Sequence, residues 1–317
     1  MLEKEQLNRE PKNKKENKDL RQKEFGKITD KFKDYFARKA IETAPGDKKL
    51  FNKILKDNYK EAGVDKVVIA NNPYSNSYMM GQKTILLEKD TINKGEFGSL
   101  AHEMGHAYHD SNKKSKLGRA FHRLDQKINN IYNGIGNLAL NLDPKVREKY
   151  KDYDFSNGLP KELDYKLRNV AYRTKNIVGS SVSGISGIAA GYKAEEEKEK
   201  GNKKKARLIS AGSLAIPILR HTPELGSEIS ASSKAMKMIK EAGANKKQIN
   251  TARKSLGYAL GTYGVGLGKN LIINGGSQLI GKGVYKLTHR KKKEDKKEEN
   301  LDKNPTMNLE KTDLGVR

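Results

Sequence analysis

The pentapeptide HEMGH, His102 to His106, places two imidazoles four residues apart. On a helix, residues i and i+4 share one face about one turn apart, so both rings can meet a single Zn²⁺. Glu103 sits beside them but about 100° round such a helix, where it reaches a water on the metal rather than the metal itself. That is the place of a general base. The chain has six histidines and no cysteine, so any metal must rest on imidazole and carboxylate. Disulfide frameworks, thiolate sites and cysteine nucleophiles are excluded at once.

A hydrolytic zinc site takes a third protein ligand and leaves one position open. A metzincin would need Gly at 109 and His at 112, where this chain has His109 and Asn112. No glutamate occurs between Glu103 and Glu148, so a Glu ligand two dozen residues downstream is missing too; His122 and Asp125 are what that window offers. Farther on, PELGSEISASSKAMKMIKEAG carries Ala231, Ala235, Met238, Ile239 and Ala242 at helical spacing with Gly243 as a stop. The pattern predicts a packed helix with Glu228 projecting from its start. Glu224 lies one turn earlier, and spacing alone leaves both carboxylates open as the third ligand. His221, three residues before Glu224, is a candidate oxyanion donor.

These residues need elements to hold them. Asn93 as cap with Glu96 three residues on, then Phe97, Leu100, Ala101 and Met104 at i, i+3, i+4 and i+7, predict an amphipathic helix through HEMGH. Before it, VDKVVIA (64–70) reads as a strand, NNPYSN as a turn, and SYMMGQKTILLEKD as a second extended stretch. Strand residues Ser77, Tyr78 and Met79, just ahead of the histidine helix, are candidates to bind an extended peptide at a sheet edge. Phe25 to Tyr59 predicts two amphipathic helices broken at Pro45-Gly46. The segment 113–176 is polar and helical in pattern, with its Pro and Gly marking turns.

The 317-residue chain carries 64 Lys+Arg against 39 Asp+Glu, a net charge of +25. Only 13 of the basic residues are arginine, Trp is absent and the aromatics do not interleave with the basic residues, so specific nucleic-acid recognition is not expected. Residues 1–24 and 288–317 are Lys/Glu-rich and predict disordered tails or solvated helix. With no apolar run of seven in the first two dozen residues, a cytoplasmic start is the expectation. Between the tails we expect a catalytic region over 25–176, a small-residue helical hairpin over 177–221, and a Glu-ligand helix with Gly-rich helices over 222–287. The hairpin arm 177–192 carries no charged residue, and the arm 206–219 is mostly small and apolar with Arg207 its one charge. Gly179, Ser183, Gly187 and Gly191 fall four apart on one face, the small-residue pattern of closely packed helices in lipid. Membrane association is expected, and the charge distribution places the catalytic side in the cytoplasm; a soluble cytoplasmic form is the alternative.

The motifs occur in an order that resembles a known family. EISASSKA (228–235) resembles the E-x-x-A-[D/S]-x-x-A signature of HtpX-like zinc metallopeptidases, with Ser232 closer to the neutral metallopeptidases of the YugP type. NSYMMGQKTILL resembles the strand before their zinc helix, FGSLAHEMGHAYH the zinc helix, and RKSLGYALGTYGVG the apolar segment after the ligand Glu. The resemblance covers roughly residues 60–285. It implies a mainly helical α+β fold, with a small β-hairpin or sheet packed on the zinc helix, a helical-hairpin insertion and a Gly-rich C-terminal helical region. It further implies Zn²⁺ held by His102, His106 and Glu228, Glu103 as base, and hydrolysis of protein or peptide substrates at a membrane surface. The competing expectation is a catalytically silent, metal-stabilised structural or accessory protein, as of a phage or mobile element.

Overall fold

The computed structural model describes residues 27–69, 76–79, 82–111, 116–152 and 161–303. The fold is α+β and mainly helical, with one three-stranded sheet. The N-terminal tail reading and the last fourteen residues lie outside the described residues, as does the turn at 70–75. In chain order come α1 (27–42), α2 (Lys48–Asn58), β1 (Lys66–Ile69), β2 (Ser77–Met79), β3 (Thr84–Leu87), α3 (Lys89–Lys94), α4 (Phe97–Ser111), α5 (Lys116–Leu142) and α6 (Pro144–Lys149), then three long helices, α7 (Lys161–Glu199), α8 (Lys203–Glu241) and α9 (Lys246–Lys303).

Two compact units divide this chain: 1–177 with 219–269, and 178–218 with 270–317. In the first, α4 is the central element. Phe97, Leu100, Ala101 and Met104, the four residues that predict its inner face, are all fully buried. They pack with Leu50, Phe51 and Ile54 of α2, Ile85 and Leu87 of β3, and Ala235, Met238 and Ile239 of α8. Asp47 caps α2 by accepting from the Leu50 N–H (3.0 Å).

The entry to α4 differs from the capping expectation. Asn93 belongs to the separate short helix α3, which Gly95 ends in the left-handed region at φ +65°. The chain turns there before α4 begins at Phe97, and Glu96 is buried with its carboxylate on the Thr91 hydroxyl (3.3 Å). A left-handed glycine outranks a plausible capping box because only glycine takes that conformation without strain.

The small sheet is present, but its strands differ in detail from the strand-turn-strand reading. The second extended stretch is two strands, turned at Lys83 with φ 45°, and β3 lies in the middle of the sheet order β1-β3-β2. β1 pairs with it in parallel and β2 antiparallel, Tyr78 opposite Ile85. That leaves β2 at an edge. Asn76 fixes its start, accepting from the Glu88 N–H (2.9 Å) and donating to Thr91 (3.1 Å).

A further correction concerns Glu228, which lies well inside the 39-residue helix α8, not at a helix start; Pro217 and Pro223 fall within that helix without ending it. An interior proline costs roughly 3 kcal/mol, and packing along this helix outweighs it.

Close approach of α4 and α8 depends on Gly105. A Cβ there would lie 2.4 Å from the Ala231 carbonyl oxygen and 2.9 Å from its Cα. Gly105→Ala should therefore destabilise the fold by about 1–3 kcal/mol through overpacking, despite the roughly 1 kcal/mol that alanine normally contributes in a helix. Urea unfolding of the two proteins measures this, and a more stable variant would show that the helices separate without cost.

Candidate metal centre

Helix α4 presents His102 and His106 on one face, and α8 brings Glu228 to them. His102 Nε2 lies 3.1 Å from Glu228 Oε2 and 3.2 Å from His106 Nε2; His106 Nε2 lies 3.6 Å from Glu228 Oε1. One ligand atom from each residue falls within 4.8 Å of the others, and among the described residues no other group of His, Asp or Glu does this. Two imidazole lone pairs and a carboxylate so close repel unless a proton or cation sits among them. Tetrahedral Zn²⁺ with bonds of about 2.0–2.1 Å sets its ligand atoms about 3.3 Å apart, so the spacing observed fits that ion.

The orienting partners come from the same helix as Glu228. With Nε2 as the inward nitrogen, His102 Nδ1–H donates to Ser232 Oγ (3.2 Å) and His106 Nδ1–H to Ser227 Oγ (3.4 Å). Ser227 in turn donates to His122 Nδ1 (3.2 Å), and the His122 ring packs 5.3 Å from that of His106. Such second partners fix ring orientation and tautomer in metal sites. Burial lowers His122 to about 4, so its ring is neutral and accepts that bond.

Glu103 is buried, and the Tyr78 backbone N–H donates to its carboxylate. Burial pushes this carboxyl up, while His102 and His106 pull it down; the net direction is upward. At Glu228, burial alone would raise the carboxyl, but hydrogen bonds from His102 and His106 hold it well below the usual range.

The other sequence candidates have different partners. Glu224 pairs with Lys175 (2.9 Å) and lies 3.5 Å from His221; these outweigh burial and hold it at about 2. Glu228, not Glu224, is thus the carboxylate the fold brings to the histidines. His221 is engaged with Glu224 and Arg220. Asp125 accepts from Asn129 (3.1 Å), and burial raises it to about 6. Tyr78 is buried with its hydroxyl on Asp110 (3.0 Å), so it supports Glu103 rather than facing a ligand, while its neighbours Ser77 and Met79 are half-buried on the edge strand.

Tyr263 of α9 escaped the sequence reading. Its phenol donates to Glu228, and burial together with the Glu228, Glu224 and Glu103 carboxylates raises it well above its ordinary value, so it stays protonated. A lone tyrosine in the Gly-rich LGYALGTYGVG gives no signal of this.

No family model matches the chain, and no curated protein or solved structure is significantly similar to it.

Proposed function

We propose that this chain is a zinc-dependent endopeptidase of the HExxH type with a glutamate as third ligand, akin to the HtpX- and YugP-like families its motifs resemble. The observation that carries the reading is the convergence of His102, His106 and Glu228 with Glu103 held beside them by the Tyr78 N–H. His102, His106 and Glu228 would hold the metal, which supplies Lewis acidity and lowers the pKa of water to about 7.

The chain's own groups do the rest. Glu103 takes the proton of the attacking water and returns it to the leaving amine. Its fixed carboxylate orients that water as well as deprotonating it. Tyr263 holds a protonated hydroxyl on Glu228 in the same cluster, and on turning from that carboxylate it would take the oxyanion-donor role that the sequence placed on His221. An extended peptide would lie along β2, the outer strand of the sheet, through main-chain groups other than the Tyr78 N–H that Glu103 takes, which favours segments of varied sequence.

Chelation provides the test. The purified chain is expected to cleave an unfolded protein such as casein, to stop when its metal is removed by phenanthroline, and to resume on adding one equivalent of zinc. Cleavage indifferent to the chelator would overturn the proposal, and a chain that binds zinc yet cleaves nothing would leave the metal a structural part.

A further inference from the structure

The second unit distributes its side chains in the reverse of the usual sense. Among its described residues no Leu, Ile or Val is buried. Its interior is small and polar: Asn274 is fully buried, donating to the Ser183 carbonyl (3.0 Å) and Ser186 Oγ (3.0 Å) and accepting from Ser213 (3.0 Å). Gln278 donates to Ser213 (2.8 Å) and to the Ser210 carbonyl (3.0 Å). Backbones touch where a Cβ would not fit: Gly187 against the Asn274 carbonyl, Gly191 against that of Gln278, Gly281 against that of Ile188. The aliphatic side chains point outward instead, with Ile185 69%, Leu208 72%, Ile272 59%, Leu279 69% and Leu287 67% exposed. Keeping such a side chain in water forgoes about 1.5–3 kcal/mol each, so water is the wrong solvent for this surface. An apolar surrounding suits both halves of the pattern, because helices in lipid associate through small residues and hydrogen-bonded polar ones.

Charge identifies the surrounding. Each uncharged stretch is bounded at both ends by a cation: 176–192 by Lys175 and Lys193, 208–219 by Arg207 and Arg220, and 270–281 by Lys269 and Lys282. The two shorter stretches rise about 18 Å, against about 30 Å of hydrocarbon in a bilayer, and among the described residues no helix is long and apolar enough to cross a membrane. Helices lying in the plane of the interface meet both constraints. Their aliphatic side chains then enter by about 5–10 Å while Lys193, Arg207 and Lys282, the basic ends that lie within this unit, stay at headgroup level. Near the α7–α8 turn, Lys198, Lys203, Arg207 and Lys282 line an open groove of about 520 Å³ with an apolar floor that includes Leu214. Its one acid, Glu195, is already paired with Lys198 (3.7 Å) and Lys286 (3.5 Å).

We propose that this three-helix unit docks in the plane of an anionic phospholipid bilayer, its outward aliphatic side chains in the acyl boundary and a headgroup phosphate in the Lys/Arg-lined groove. The proposal does not depend on the peptidase reading.

Sedimentation of the full chain with phosphatidylcholine vesicles, with and without phosphatidylglycerol, tests it. Binding is expected to anionic vesicles, roughly tenfold weaker to neutral ones and sensitive to salt. The triple variant Ile185→Asp, Leu208→Asp, Leu279→Asp changes only exposed positions and should keep its circular dichroism while losing at least roughly tenfold in partition. Arg207→Glu with Lys282→Glu should abolish the preference for anionic vesicles, and free inorganic phosphate should not compete. A chain left in the supernatant, or a triple variant that binds like the parent through net charge alone, overturns the proposal. So does a lipid-free dimer that the triple variant splits, since a second copy would then be what covers this surface.

Discussion

Glu103→Gln is expected to retain its full metal content and to lower kcat by about 10²–10⁴. The amide keeps the size and hydrogen-bonding reach of the carboxylate but has no basic lone pair to take the water's proton. The substitution also separates two kinds of protein. A buried carboxylate that ligates nothing is costly to keep in the fold, and a metal site used for stability alone would lose that cost when Gln replaced it. Paired measurements of zinc stoichiometry and peptide cleavage decide the matter: unchanged turnover would remove Glu103 from the mechanism, and loss of zinc would make it a ligand.

The second large effect is expected from Glu228→Ala against Glu224→Ala. Removing Glu228 takes away one of three converging donors, and metal affinity should fall by more than the roughly 10–100-fold that outer partners typically carry. Removing Glu224 strands Lys175, whose side chain is only 20% exposed, so the variant should lose stability while keeping the metal. Zinc titration with unfolding curves on both variants resolves the two effects. The reverse pattern, metal lost with Glu224 and kept without Glu228, would move the third ligand a turn along α8.

Legibility of the sequence followed the range of the interaction behind each feature. The inner face of α4 and the pair His102/His106 were readable because both are set by spacing within one helix. The four-residue stripe Gly179, Ser183, Gly187 and Gly191 was readable for the same reason, and all four are buried. Helix limits were not. The Asn93 capping box put Gly95 inside the first turn of α4, where it instead ends a separate helix, and the start expected at Glu228 falls within α8, which tertiary packing carries through Pro217 and Pro223. The parallel pairing of β1 with β3 joins segments with no local signal for parallel or antiparallel. Tyr263 reaches Glu228 across two helices, and nothing near it in the chain marks the encounter.

Ser227, Glu228 and Ser232 span only six residues of one helix, yet they supply the carboxylate that meets the two histidines and the hydroxyl partner of each. Assembly of the centre is therefore a single event, the seating of this part of α8 on α4, and occupancy and seating form one linked equilibrium. A cation present at a hundred times its dissociation constant would tighten that seating by about 2.7 kcal/mol. Amide exchange along residues 227–232 should slow as metal is added, in step with occupancy, so the helix itself reports how much metal the surroundings supply.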